Sequence, residues 1–94
     1  KITALPGQRD ALAALLTQGA STMPGCLSYI VSRDLANVDV LWVSEVWESE
    51  ASHKASLALP SVREAIAKGR PLIASFETSA RLEPVGGHGL VPTR

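Results

Sequence analysis

Val38–Trp47, VDVLWVSEVW, is the stretch whose reading decides the fold. It alternates as a strand does, but both phases are apolar. Val38, Val40, Trp42, Ser44 and Val46 fall on one face, and Leu41, Val43, Glu45 and Trp47 on the other. A strand with two apolar faces has a packed layer on each side. One layer is expected to be the chain's own helices, and the other has to come from a second molecule.

Upstream, Cys26–Arg33 (CLSYIVSR) reads as a second strand, with Cys26, Ser28, Ile30 and Ser32 on one face and Leu27, Tyr29, Val31 and Arg33 on the other. Asp34-Leu35-Ala36-Asn37 supplies turn residues, so the two strands form an antiparallel hairpin. Further upstream, Leu12, Leu15, Leu16 and Gly19 mark one face of a helix from Gln8 to about Ser21. Pro6-Gly7 separates that helix from a strand ending Lys1–Leu5. The chain begins inside this alternating stretch, so further strand residues are expected before Lys1.

Downstream, Ser49 is the expected N-cap of a helix running to about Leu57. Pro60 interrupts it, Ser61 is expected to cap again, and the next helix turns Val62, Ala65, Ile66 and Gly69 inward. Phe76–Pro84 alternates as a strand with one wet face. The order β, α, β, β, α(α), β predicts an α+β, ferredoxin-like sandwich over residues 1–85, with 86–94 a flexible Gly-rich tail containing a solvated His88. Such a sheet carries helices on one face only, so a second copy of the chain is expected to cover the other.

Composition narrows the function. The 94 residues allow one domain, and nine basic residues balance nine acidic ones. Neutrality gives no electrostatic reason to expect nucleic acid or a membrane surface as partner, and no apolar window approaches the ~20 residues of a membrane span. Cys26 is the single cysteine, so the fold does not depend on a disulfide and a cytoplasmic location is expected. No zinc-ligand spacing and no signal peptide is present in the given residues.

The runs Met23-Pro24-Gly25-Cys26-Leu27-Ser28-Tyr29, Arg33-Asp34, Glu45-Val46-Trp47-Glu48-Ser49-Glu50-Ala51-Ser52-His53 and Arg81-Leu82-Glu83-Pro84 resemble the antibiotic biosynthesis monooxygenase (ABM) family, which includes quinol monooxygenases. The resemblance spans Lys1 to Val85. It implies a homodimeric α+β barrel with a pocket between sheet and helices in each subunit. It also implies oxidation of a small aromatic or quinol-like substrate by O2 with no flavin, haem or metal cofactor. Haem-degrading relatives carry a Trp ten residues after the position of Trp47 and a His ten further on. Here those positions are Leu57 and Ala67, so haem degradation is not expected.

Cofactor-free oxygenation needs an apolar pocket, a base to form the substrate anion, and polar groups that steady charge as O2 is reduced. Glu45 is a carboxylate in mid-strand and should be paired. His53 is the one in-domain imidazole, the side chain suited to proton exchange near neutral pH. The catalytic candidates are therefore His53 as base and Glu45 as its orienting partner, with Trp47, Tyr29 and Leu57 as substrate-binding wall. Each has a structural alternative: Glu45 and His53 as a hydrogen-bonded pair fixing the helix, and Trp47 and Tyr29 as packed rings. Arg33 and Arg81 are expected to form strand-end salt bridges, and Cys26 to be a small buried hydrophobe. The alternative function is a non-catalytic dimeric module, binding small molecules or serving a stress response, on the same fold.

Overall fold

The computed structural model describes residues 1–18 and 23–89. Its elements are β1 (Ile2–Ala4), α1 (Arg9–Gln18), β2 (Cys26–Arg33), β3 (Val40–Trp47), α2 (Glu50–Ser56), α3 (Pro60–Gly69), a single 3₁₀ turn (Arg70–Leu72) and β4 (Ile73–Phe76). The four strands form one antiparallel sheet in the order β2-β3-β1-β4, the ferredoxin-like arrangement expected from the order of elements. The expected end of α1 near Ser21 and the last residues of the tail, 90–94, lie outside the described residues.

The register assigns the two faces of β3. Ile2 sits opposite Leu41 and Val31 opposite Val43, and these side chains join Ala4 and Leu12 in the core. Leu12 and Leu41 are fully buried, and Leu16, Leu72 and Ile73 pack around them. Burial of this set removes apolar surface from water at about 25 cal/mol per Å² and fixes α1 on the sheet. Gly69 is buried where α3 meets α1, and a Cβ there would lie 3.2 Å from Leu12 Cδ1. Only the absence of a side chain lets the two helices approach so closely.

The opposite face carries Ser28, Ile30, Ser32, Trp42, Ser44 and Val46, paired as Ser28 with Val46, Ile30 with Ser44, and Ser32 with Trp42. None of these side chains is charged, although Lys1 and Asp34 both reach Trp42 at one end of the face, and Ile30 and Trp42 remain 56% and 38% exposed. Trp42 is tied down at one end, its Nε1 donating to Asp34 Oδ2 at 2.7 Å. Lys1 Nζ stands 5.8 Å from its ring centroid, a weak cation–π contact. The hairpin tip is rigid because Asp34 Oδ1 accepts the N–H groups of Ala36 and Asn37 at 2.8 and 3.2 Å. Arg9 Nη1 then donates to the carbonyls of Asp34 and Asn37, joining the tip to α1.

The structure corrects four details of the sequence reading. First, the final strand covers Ile73–Phe76 rather than Phe76–Pro84. β4 pairs along β1 as far as Lys1, where Glu77 N–H donates to the Lys1 carbonyl at 2.9 Å. Residues 78–84 have no ladder partner among the described residues, and alternation without a neighbour does not make a strand. Second, α3 starts at Pro60 with Leu59 at the N-cap, so Ser61 is not a cap. Proline at the first helical position loses nothing by lacking an N–H. Third, β3 begins at Val40 rather than Val38, because the Asn37 carbonyl closes the turn by accepting from Val40 N–H. Fourth, a bulge between Cys26 and Ser28 sets Cys26 opposite Trp47 and leaves Leu27 as the extra residue. Cys26 therefore does not share the Ser28 face, and it is half-buried. The salt bridges expected of Arg33 and Arg81 are present, to Asp10 and Glu50. Both are exposed and add little stability.

Candidate functional site

Between the helix-bearing face of the sheet and helices α1 and α3 lies a cavity of about 460 Å³. Leu15 and Leu16 of α1, Val62 and Ala65 of α3, and Tyr29 and Phe76 from the sheet contribute to its wall. It exists because helix contact closes tightly only around Leu12 and Gly69. Along the remaining length of α3, small residues such as Ala65 do not fill the space down to the sheet. Its size and apolar lining with a few polar groups suit a small organic molecule. A smaller hollow of about 210 Å³, lined by Gly25, Glu48, Ser52 and others, lies beside α2.

Tyr29 joins this cavity to a polar cluster, since it lines the wall and sits directly opposite Glu45 in the sheet register. Glu45 Oε1 accepts from Trp47 Nε1 at 3.0 Å and stands 3.7 Å from His53 Nε2. The Trp47 and His53 rings lie with centroids 5.2 Å apart at 48°. One carboxylate oxygen therefore faces both an indole N–H and an imidazole. The cluster is open to water, with the His53 and Glu45 side chains 44% and 33% exposed. The unpaired buried carboxylate that the strand pattern warned of does not arise.

Helix α2 delivers His53. Ser49 is its N-cap as expected, with Oγ accepting Ser52 N–H at 3.1 Å. Ser56 Oγ donates to the His53 carbonyl at 2.6 Å, tightening the last turn. Leu57 follows as the C-cap residue and is about half exposed. Of the residues singled out from the sequence, the structure thus brings Glu45, Trp47 and His53 together and sets Tyr29 across the sheet from them. Leu57 does not line the cavity, and Tyr29 is the one of the five that does. Sequence reasoning missed Phe76, Ile73 and Arg70 as wall residues. The inward phase of α3 did point to Val62, Ala65 and Ile66.

Burial, followed by the nearby Glu45 carboxylate and Cys26, pushes the Tyr29 hydroxyl up to about 12 from 10.0. Tyr29 thus stays a neutral phenol and a hydrogen-bond donor at every physiological pH. Because the folded value lies above the unfolded one, this group's contribution to stability is intact below pH 10 and is lost as pH rises through about 12. Chemical denaturation followed from pH 9 upward is therefore expected to show falling stability across that window, and Tyr29→Phe to flatten the fall.

The sequence profile of the antibiotic biosynthesis monooxygenase family matches residues 1–68. The chain belongs to that family. A crystal structure of a Chloroflexus aurantiacus J-10-fl protein bearing the same family name is 60% identical over 95% of this chain and 91% of that one, with a TM-score of 0.90. A Deinococcus radiodurans protein of the same family name is 26% identical over 90% of this chain and 93% of that one, with a TM-score of 0.69. A conserved Methanosarcina mazei protein, 19% identical over 80% of this chain and 77% of that one, shares the fold at a TM-score of 0.71. No curated protein matches the chain. Among the described residues of this ABM-family chain, no helix is long and apolar enough to cross a membrane.

Proposed function

We propose that this ABM-family protein is a homodimeric monooxygenase that oxidises a small electron-rich aromatic or quinol-like compound with O2 and needs no bound cofactor. The observation that carries the reading is the apolar cavity whose Tyr29 wall abuts the Glu45–Trp47–His53 cluster. In the proposed reaction the substrate enters between α1 and α3 with its acidic carbon or hydroxyl group at the Tyr29 end. His53 removes a proton, Glu45 holds the imidazole and balances its charge, and the Tyr29 hydroxyl donates to the oxygen on which negative charge develops. For a methylene flanked by aromatic rings, one atom of O2 becomes the new carbonyl oxygen. The other leaves as water with the two methylene hydrogens, so no external reductant is required.

The test is O2 uptake with a panel of hydroquinones, naphthols and anthrones, with heat-denatured protein as the autoxidation control. Uptake that saturates with substrate supports the reading, and no excess over autoxidation across the panel refutes it. Because the His53 cluster borders the cavity without lining it, a second reading is a binding module that holds an apolar metabolite. That reading predicts saturable binding with no O2 consumption.

The dimer is part of the proposal. Its support is the outer face of the sheet, where Ile30 and Trp42 stay exposed on the single chain. Ile30→Asp is expected to convert a dimer to a monomer by light scattering coupled to gel filtration, while Ser32→Asp at the margin acts less. A monomeric wild type at micromolar concentration would rule the interface out. We also place the protein in the cytoplasm, which a fold independent of oxidation of its lone Cys26 supports.

A further inference from the structure

Among the described residues, the cavity wall contains a cation and no carboxylate. Its polar side chains are Tyr29, Ser61 and Arg70. Arg70 lines the cavity while remaining exposed to solvent, and its backbone is fixed: its N–H donates to the Ile66 carbonyl, its own carbonyl accepts from Ile73 N–H, and Pro71 follows it. Arg33 and Arg81 are engaged by Asp10 and Glu50. The Arg70 guanidinium, by contrast, has no carboxylate within 4.0 Å and makes no side-chain hydrogen bond among the described residues. A cation beside an apolar wall acts in a lower dielectric than one in open water, and its field reaches into the hollow. The Arg70 guanidinium offers donors to a ligand group that can only accept.

We infer that the cavity selects an amphipathic organic acid, with a flat apolar body enclosed by α1, α3 and the sheet and a carboxylate held at the rim by Arg70. This rests on the reading above that the cavity is the substrate site, and it narrows the substrate to aromatics that carry an acidic group.

A matched pair of probes separates body from charge: 2-naphthoate and the isosteric, uncharged 2-naphthamide, titrated by calorimetry into wild type, Arg70→Met and Arg70→Lys. Wild type is expected to bind the acid about tenfold more tightly than the amide. Arg70→Met should lose that preference while keeping its affinity for the amide, and Arg70→Lys should keep most of the preference. Raising salt should weaken binding of the acid alone. Equal affinities in wild type, or a preference that survives Arg70→Met, would overturn the inference and leave the cavity reading standing. If neither probe binds at millimolar concentration, both fall. The O2-uptake assay is independent of this outcome, because binding here is read without turnover.

Discussion

Replacing His53 with alanine is expected to lower the rate of O2 uptake on a confirmed substrate by about 100-fold or more, the usual contribution of a positioned general base. Substrate affinity should change less than turnover, because the wall that holds the apolar body is left intact. Alanine favours the helix, and the Ser56 hydrogen bond goes to the backbone carbonyl of residue 53, so α2 should survive the change and the loss should be one of chemistry. Added imidazole should restore part of the rate in this variant, which a purely structural histidine would not permit. Glu45→Gln keeps an oxygen to accept from Trp47 Nε1 but removes the charge facing His53. It is expected to lose less than His53→Ala and to lose it in kcat rather than KM. Steady-state O2 electrode kinetics on the three proteins decide the matter. Unchanged turnover in His53→Ala would reassign the cluster to a structural role.

The second large effect is on stability. Gly25 has φ of +81°, and a Cβ there would stand 2.6 Å from Ser52 Cβ and 2.7 Å from its Oγ. Gly25→Ala therefore combines a left-handed backbone with a collision against the first turn of α2. It is expected to destabilise the fold by about 3 kcal/mol, read from urea denaturation. Adding Ser52→Gly should recover the collision but not the backbone cost, so the two changes should be strongly non-additive. Gly25 is coupled to the Glu45–His53 pair because its carbonyl accepts Glu48 N–H at 2.8 Å and Ser52 directly precedes His53. Moving α2 to admit a methyl group would carry the imidazole away from Glu45.

How far the sequence revealed this follows from which interactions are local. The hairpin β2–β3 was legible because alternation and an Asp-to-Asn turn are short-range signals, and the two-faced β3 pointed to a helical layer on one side, which the core around Leu12 and Leu41 identifies as the Leu41 side. The Glu45–Trp47–His53 grouping was half legible. The strand phase put Glu45 and Trp47 side by side, but the approach of His53 depends on the cap at Ser49 and the close pass of Gly25 against Ser52. The cavity was not legible in its extent, since it is a volume left unfilled by small residues on α3. Arg70 was missed because Gly-Arg-Pro reads as a helix stop, and only the packed fold shows that it lines the cavity. Phe76–Pro84 misled because its pattern is local while pairing is not.

The bulge at Leu27 bears on how the protein avoids unlimited growth. β2 is an edge strand, and a long uncharged edge is a template on which further strands can add without end. The extra residue breaks the hydrogen-bond repeat at one end of β2, and Arg33 places a charge at the other. Only Ser28–Ser32 lies between them, and a bulge bends and twists the strand that carries it. In the proposed dimer, association would fall instead to the face of the sheet, where a symmetric contact uses itself up once two chains have met.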